Sequence, residues 1–201
     1  MTNKIRDVNS TEVFGEWLKR EYSSRKNFHD YIDSKFPESS DLITSPDYSD
    51  LVSNQKRHQI LMAIRRTVIN GIPPATAWTL SSMDQQAVQE LFLIDSSPWS
   101  SITNNTLKAL DSARAIDMDI GLRTGINASS VNYILVNCEK LARDQSKIIT
   151  VGPEGGPIVV IDGVHRAVAM LLFFFVRGVE EYSPREVYLG RSTTRYAKKF
   201  K

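Results

Sequence analysis

Asp162, His165 and Arg166 stand close together in the stretch GGPIVVIDGVHRAVAM, residues 155–170, where a run of apolar residues breaks off and then resumes. A strand ending at Ile161, a sharp turn at Asp162–Gly163 and a helix opening at Val164 or His165 would set an acid, an imidazole and a guanidinium at one helix N-terminus. Gly163 supplies the backbone freedom such a turn needs. Helix N-termini carry unsatisfied N–H groups and partial positive charge, so they favour anions and disfavour cations. Two potentially cationic side chains in that first turn therefore point to a negatively charged ligand, a phosphate above all. Each residue also has an ordinary reading. Asp162 would cap the helix, His165 would make a structural hydrogen bond, and Arg166 would form a surface salt bridge.

Two other stretches compete. GPEGGP, Gly152–Pro157, is glycine-rich but lacks the lysine and the following helix of a P-loop, and reads as a hairpin turn. SSPWSSITNNT, Ser96–Thr106, gathers hydroxyls, amides and an indole, and through Trp99 and Thr103 would line a small-molecule pocket, although capping and turn formation explain most of it. His29 and His58 are isolated and read as solvated, and no metal-ligand spacing connects them. Cys138, the single cysteine, excludes an internal disulfide and reads as a helix core residue.

Behind these candidates lies a helical first half and a mixed second half. Ser10 or Thr11 is expected to cap a helix whose apolar face is Phe14, Trp17, Leu18 and Tyr22. A second helix carrying Phe28, Tyr31 and Ile32 should stop near Phe36–Pro37, and residues 37–50 read as a loop. Ile60, Ile64 and Val68 mark a third helical face that ends before the GIPP of Gly71–Pro74. After that boundary, Ala77–Leu80 reads as a strand, with Ser82 and Gln85 matching a capping box ahead of a short helix. A helix late in residues 96–116 and a longer one over 126–144 follow. Lys147–Val151 and Pro157–Asp162 form a hairpin, a helix runs from Val164 to about Val176, and Arg185–Gly190 is a further strand. The expected fold is α+β, a small mixed sheet with flanking helices over residues 75–201, preceded by a helical extension over residues 1–74.

On VVIDGVHRAVAM, with its leading hairpin and following strand, the chain resembles the ParB/sulfiredoxin-like superfamily and its D-G-x-H-R box. The likeness runs from Lys147 to Gly190. It implies nucleotide phosphates bound at the box, with Gly163, Val164, His165 and Arg166 as the contacts. Sulfiredoxins carry a reactive cysteine directly before the His-Arg pair, where Val164 stands here. Chromosome-partition members place a helix-turn-helix region after the box, and only 35 residues follow Arg166. The free serine kinases resemble the stretch most closely. That likeness casts Asp162 as a carboxylate near the reacting hydroxyl or a Mg²⁺ ion, and His165 as a catalytic phosphate contact. It also implies ATP, or another nucleoside triphosphate, as cofactor. Such kinases need a further acid, for which Glu90, Asp95 and Glu154 are the candidates, Glu90 being the first choice.

Composition narrows the function classes. With 25 basic and 23 acidic side chains, the net charge of +2 among 201 residues does not mark an electrostatic nucleic-acid binder. The exception is the tail RSTTRYAKKFK, whose Arg191, Arg195, Lys198, Lys199 and Lys201 could meet phosphates or simply be solvated. The most apolar run, Ala167–Val176, is ten residues long and too short to span a bilayer. The N-terminus lacks the apolar core of a signal peptide, so a cytoplasmic location is expected. The resulting expectation is an ATP-dependent phosphotransferase acting on a hydroxylated metabolite, free of membranes and compatible with a homodimer. The alternative is a nucleic-acid-binding module or nuclease of the same superfamily.

Overall fold

The computed structural model describes residues 1–24, 26–74, 76–118 and 128–193. The chain forms two compact units, Val8–Ile72 and Met1–Asp7 with Pro73–Lys201. The expected division at residues 74 and 75 falls beside the seam at Ile72 and Pro73. The first seven residues group with the second unit because Thr2–Val8 is a strand, β1, that joins its sheet next to the strand after the seam.

The helical unit consists of α1 (Ser10–Ser24), α2 (Lys26–Lys35), α3 (Ser40–Thr44) and α4 (Leu51–Ile69). Asn9, rather than Ser10 or Thr11, caps α1, its side chain accepting from the Glu12 N–H at 2.8 Å and from the Thr11 hydroxyl at 2.6 Å. Asp50 caps α4 by accepting from the Val52 and Ser53 amides. Val13, Trp17, Leu18, Ile32, Ile43, Ile60 and Leu61 fill the core between them. The expected loop over 37–50 contains α3, too short for a periodicity to register. Buried Arg57 ties that segment down by donating to the Leu42 carbonyl at 3.1 Å and the Asp47 carbonyl at 2.5 Å. Buried Glu21 accepts from the Trp17 indole at 3.1 Å and pairs with Arg65 at 2.5 Å. The expected solvated histidines are partly engaged here. His58 tilts against Phe14, and His29 against Tyr22.

The second unit is a mixed α/β body around one sheet in the order β1-β2-β6-β4-β5-β3. Its strands after β1 are β2 (Ala77–Met83), β3 (Phe92–Leu93), β4 (Ile148–Pro153), β5 (Val159–Asp162) and β6 (Arg185–Ser192). β2 runs antiparallel to β6, β6 parallel to β4, β4 antiparallel to β5, and β5 parallel to β3. The hairpin β4–β5 turns through Gly155 at φ 66°, with a register shift between Ile149 and Thr150. The mixed sheet with flanking helices is the expected α+β class.

Its helices are α5 (Gln85–Gln89), α6 (Ser97–Ile102), α7 (Ala109–Asp117), α8 (Ala128–Arg143) and α9 (Val164–Leu171). The expected capping box at Ser82 gives way to Asp84, which accepts from the Ala87 N–H at 2.9 Å, because β2 continues through Met83. α9 is almost wholly buried from Arg166 onward and lies on α8, whose Val131, Ile134, Cys138 and Ala142 face inward. The expected helix to Val176 changes pitch at Leu172. Residues 172–176 form a π turn, with Arg177 N–H donating to the Leu172 carbonyl at 2.9 Å.

Candidate functional site

β5 passes straight into α9 through Gly163, which has φ 82° and occupies the N-cap position. Asp162 is therefore not the helix cap, and no side chain caps α9 from the N-cap position. A Cβ on residue 163 would come within 2.7 Å of Arg166 Nη2 and 2.8 Å of Ile148 Cγ2. Glycine is thus required twice, by its dihedral and by the close passage of the guanidinium.

His165 and Arg166 diverge, as consecutive residues on a helix do by about 100°. Arg166 is 8% exposed. Its Nη1 donates to the Ser146 carbonyl at 2.7 Å and lies 3.8 Å from Asp144 Oδ2, while Nη2 lies 3.8 Å from Asp162 Oδ2. It is neither a surface salt bridge nor a group extended towards solvent. It braces the turn between α8 and β4, in which Asp144 also accepts from the Ser146 N–H at 2.8 Å. His165 points elsewhere. Its ring meets Trp99 of α6 at 5.6 Å and Tyr133 of α8 at 5.5 Å, both edge to face. Trp99 is buried and Tyr133 half exposed, so the imidazole lies between an enclosed ring and an accessible one.

The parallel pairing of β3 and β5 sorts the candidate acids. Leu93 pairs with Val160, and both strands run the same way. Asp95 lies two positions beyond Leu93, the end of β3, whereas Asp162 is the last residue of β5 and pairs with Ile149 of β4, with Gly163 alone between it and α9. Glu90 precedes β3, at the C-cap of α5, where Gln86 Nε2 donates to it at 3.2 Å. It lines an open groove with Asp84, Gln86 and Leu110. Glu154 is exposed in the β4–β5 turn, before β5 begins. Glu90 and Glu154 thus precede β3 and β5, while Asp95 follows β3 at the end of the sheet towards which β5 runs to Asp162. Thr103 is buried and bonded locally, donating to the Trp99 carbonyl at 2.8 Å and accepting from the Leu107 N–H at 3.0 Å.

Among the described residues, no three His, Cys, Asp or Glu side chains converge as a metal cluster. A Mg²⁺ ion asks less, since it is held by one or two carboxylates with substrate phosphates and water. Asp95 and Asp162 are carboxylates of the kind such an ion takes. Of the basic tail, Arg191 is spent internally, Nη1 donating to the Pro153 carbonyl at 2.8 Å, and residues 194–201, with Arg195, Lys198, Lys199 and Lys201, lie outside the described residues. No described helix is long and apolar enough to cross a membrane.

Sequence reasoning missed Tyr133, Asp144 and Arg185. Arg185 opens β6 and enters a cleft with Arg166, brought there by strand pairing that no local pattern reveals. No family model, curated protein or solved structure matches the chain.

Proposed function

We propose that the chain is a nucleotide-dependent enzyme that transfers a phosphoryl group to the hydroxyl of a small molecule, binding the nucleotide's phosphates at the first turn of α9. The observation that carries this reading is the shared carboxyl end of parallel strands β3 and β5, beyond which Asp95 follows β3 and the Gly163–α9 junction follows Asp162. Ligands of α/β sheets bind outside the carboxyl ends of such strands, and helix N-termini favour phosphates. The resemblance to the ParB/sulfiredoxin-like superfamily, and to its free serine kinases, supports the same reading.

In it, His165 is the mobile partner of the phosphates, resting between Trp99 and Tyr133, and Tyr133 offers an accessible ring beside it. Arg166 acts as a positioning residue that fixes Asp162 and the Gly163 turn. Asp162 and Asp95 orient the accepting hydroxyl and receive its proton. Mg²⁺, when bound with ATP, neutralises charge on the phosphates.

Thermal unfolding with ATP, GTP and ADP, each with and without Mg²⁺, tests the reading. A ligand held only by the folded chain adds about 2.7 kcal/mol at a hundred times its Kd. We expect ATP with Mg²⁺ to raise Tm, and His165→Ala to abolish most of that rise. Screening hydroxylated metabolites for ADP release then names the acceptor class. If no nucleotide raises Tm, the reading fails.

A further inference from the structure

We propose that Tyr133 is the platform on which the nucleotide's base stacks, and that the site takes purine nucleotides in preference to pyrimidine ones. This platform rests on the reading of the first turn of α9 as the phosphate site, and supplies the other half of the ligand. α8 and α9 run side by side in the same direction. The Tyr133 ring meets His165 at 5.5 Å, the Cys138 sulfur faces the Ala169 carbonyl at 3.8 Å, and the Arg143 guanidinium lies 5.6 Å from the Phe173 ring centre. Residue numbers therefore rise together along the two helices. α9 opens one residue before His165, whereas α8 opens five residues before Tyr133. α8 thus extends past the start of α9 by about 6 Å, one helical turn.

That overhanging turn borders the place given to the phosphates. Tyr133 stands at its base, level with His165. Ala128, Ser129 and Ser130 ahead of it are small and bring little bulk to the approach. Tyr133 is 50% exposed, against 5% for Trp99. Its contact with His165 is edge to face, with 78° between the ring planes, and such a contact uses at most one face of the phenol ring. Trp99 backs the imidazole from an enclosed position and Tyr133 leaves aromatic surface open to a ligand. In a nucleotide only the ribose stands between the base and the first phosphate. A ring in contact with the phosphate-binding imidazole is therefore where the base arrives.

Stacking sets the selectivity. It reads the π face, which every base has, rather than the hydrogen-bonding edge. Adenine and guanine are accordingly accepted alike, and their two fused rings cover more of the phenol than the single ring of cytosine or uracil does.

The test is calorimetric titration of the full chain with ATP, GTP, CTP, UTP and inorganic tripolyphosphate, each with Mg²⁺. ATP and GTP are expected to bind alike, the pyrimidine nucleotides more weakly, and tripolyphosphate most weakly. Tyr133→Ala should weaken ATP and GTP by about tenfold, the loss of one stacked base, and leave tripolyphosphate as before. Tyr133→Phe should retain purine binding, and Tyr133→Leu serves in place of the alanine variant if that does not fold. His165→Ala should weaken all five ligands, because it acts on the phosphates. ATP binding that survives Tyr133→Ala undiminished would overturn the platform while leaving the phosphate site in place. So would CTP binding as tightly as ATP, or tripolyphosphate matching ATP. Failure of all five to bind would remove the phosphate site and the platform together.

Discussion

Arg166 Nη2 lies 3.8 Å from the Asp162 carboxylate, and the guanidinium passes so close over Gly163 that a single added carbon would collide with it. The acid and the base of the box therefore serve each other first. Both side chains are largely buried, and Arg166 also holds the Ser146 carbonyl. The pair is an internal brace that sets the strand-to-helix junction, and His165 is the member of the box turned to the other side.

Arg166→Ala should accordingly cost stability more than ligand affinity. Removing one partner of a buried ion pair leaves the other uncompensated, at about 3 kcal/mol. Urea unfolding should show that loss. Arg166→Lys should recover only part of it, because an ammonium cannot span a carbonyl and two carboxylates as a planar fork does. Nucleotide affinity measured well below the variant's Tm should fall less for Arg166→Ala than for His165→Ala.

Gly163→Ala should be destabilising by about 1–3 kcal/mol from its left-handed dihedral alone. The overlap with Ile148 and Arg166 adds to that. Chemical denaturation measures the sum, and a substitution at Gly155, whose Cβ would meet nothing within 4 Å, provides the comparison for φ without crowding.

Tyr182 should make the fold sensitive to alkali. Burial pushes its phenol up to about 12 from an ordinary value of 10.0. Between those two values the folded state holds a proton that the unfolded state has lost, so stability is fully present below pH 10 and falls as pH rises towards 12. Tyrosinate absorbance and unfolding monitored together should show this decline. Tyr182→Phe should flatten it, at a cost of about 1 kcal/mol at neutral pH for the hydrogen bond to Met83.

Cys138 should be inert in the native protein. Burial raises its thiol above 9.0, and the sulfur faces the Ala169 carbonyl at 3.8 Å inside the α8–α9 contact. Thiolate-selective reagents should label it at the rate of global or local opening, and rapidly once denaturant is added.

Much of the second unit was legible because its segments carry local signals. The β4–β5 hairpin announces itself by β-branched runs around GPEGG, and α8 by apolar residues at helical spacing. β1 was not legible. Its residues between the two ends are exposed, so TNKIRDV lacks the alternation that marks a half-buried strand. α3 is a five-residue helix with one buried side chain. At the site, sequence drew attention to Asp162, Gly163, His165 and Arg166 but could not give the direction of each side chain. It put Glu90 ahead of Asp95 and Glu154 without access to the strand directions, which place Asp95 rather than Glu90 beyond the carboxyl end of β3. Arg185 escaped because its environment is assembled from α8, β2 and the π turn, all remote in sequence.

β6 pairs with β2 on one side and β4 on the other, and it is the last described strand along the chain. Until it is synthesised, the strands already made form two separate ribbons, one holding β1 and β2, the other β3, β4 and β5. Translation would therefore deliver the stitch that unites them only after every other described strand. The nascent chain has to shelter two open sheet edges meanwhile, and folding should be slow and dependent on holdase chaperones.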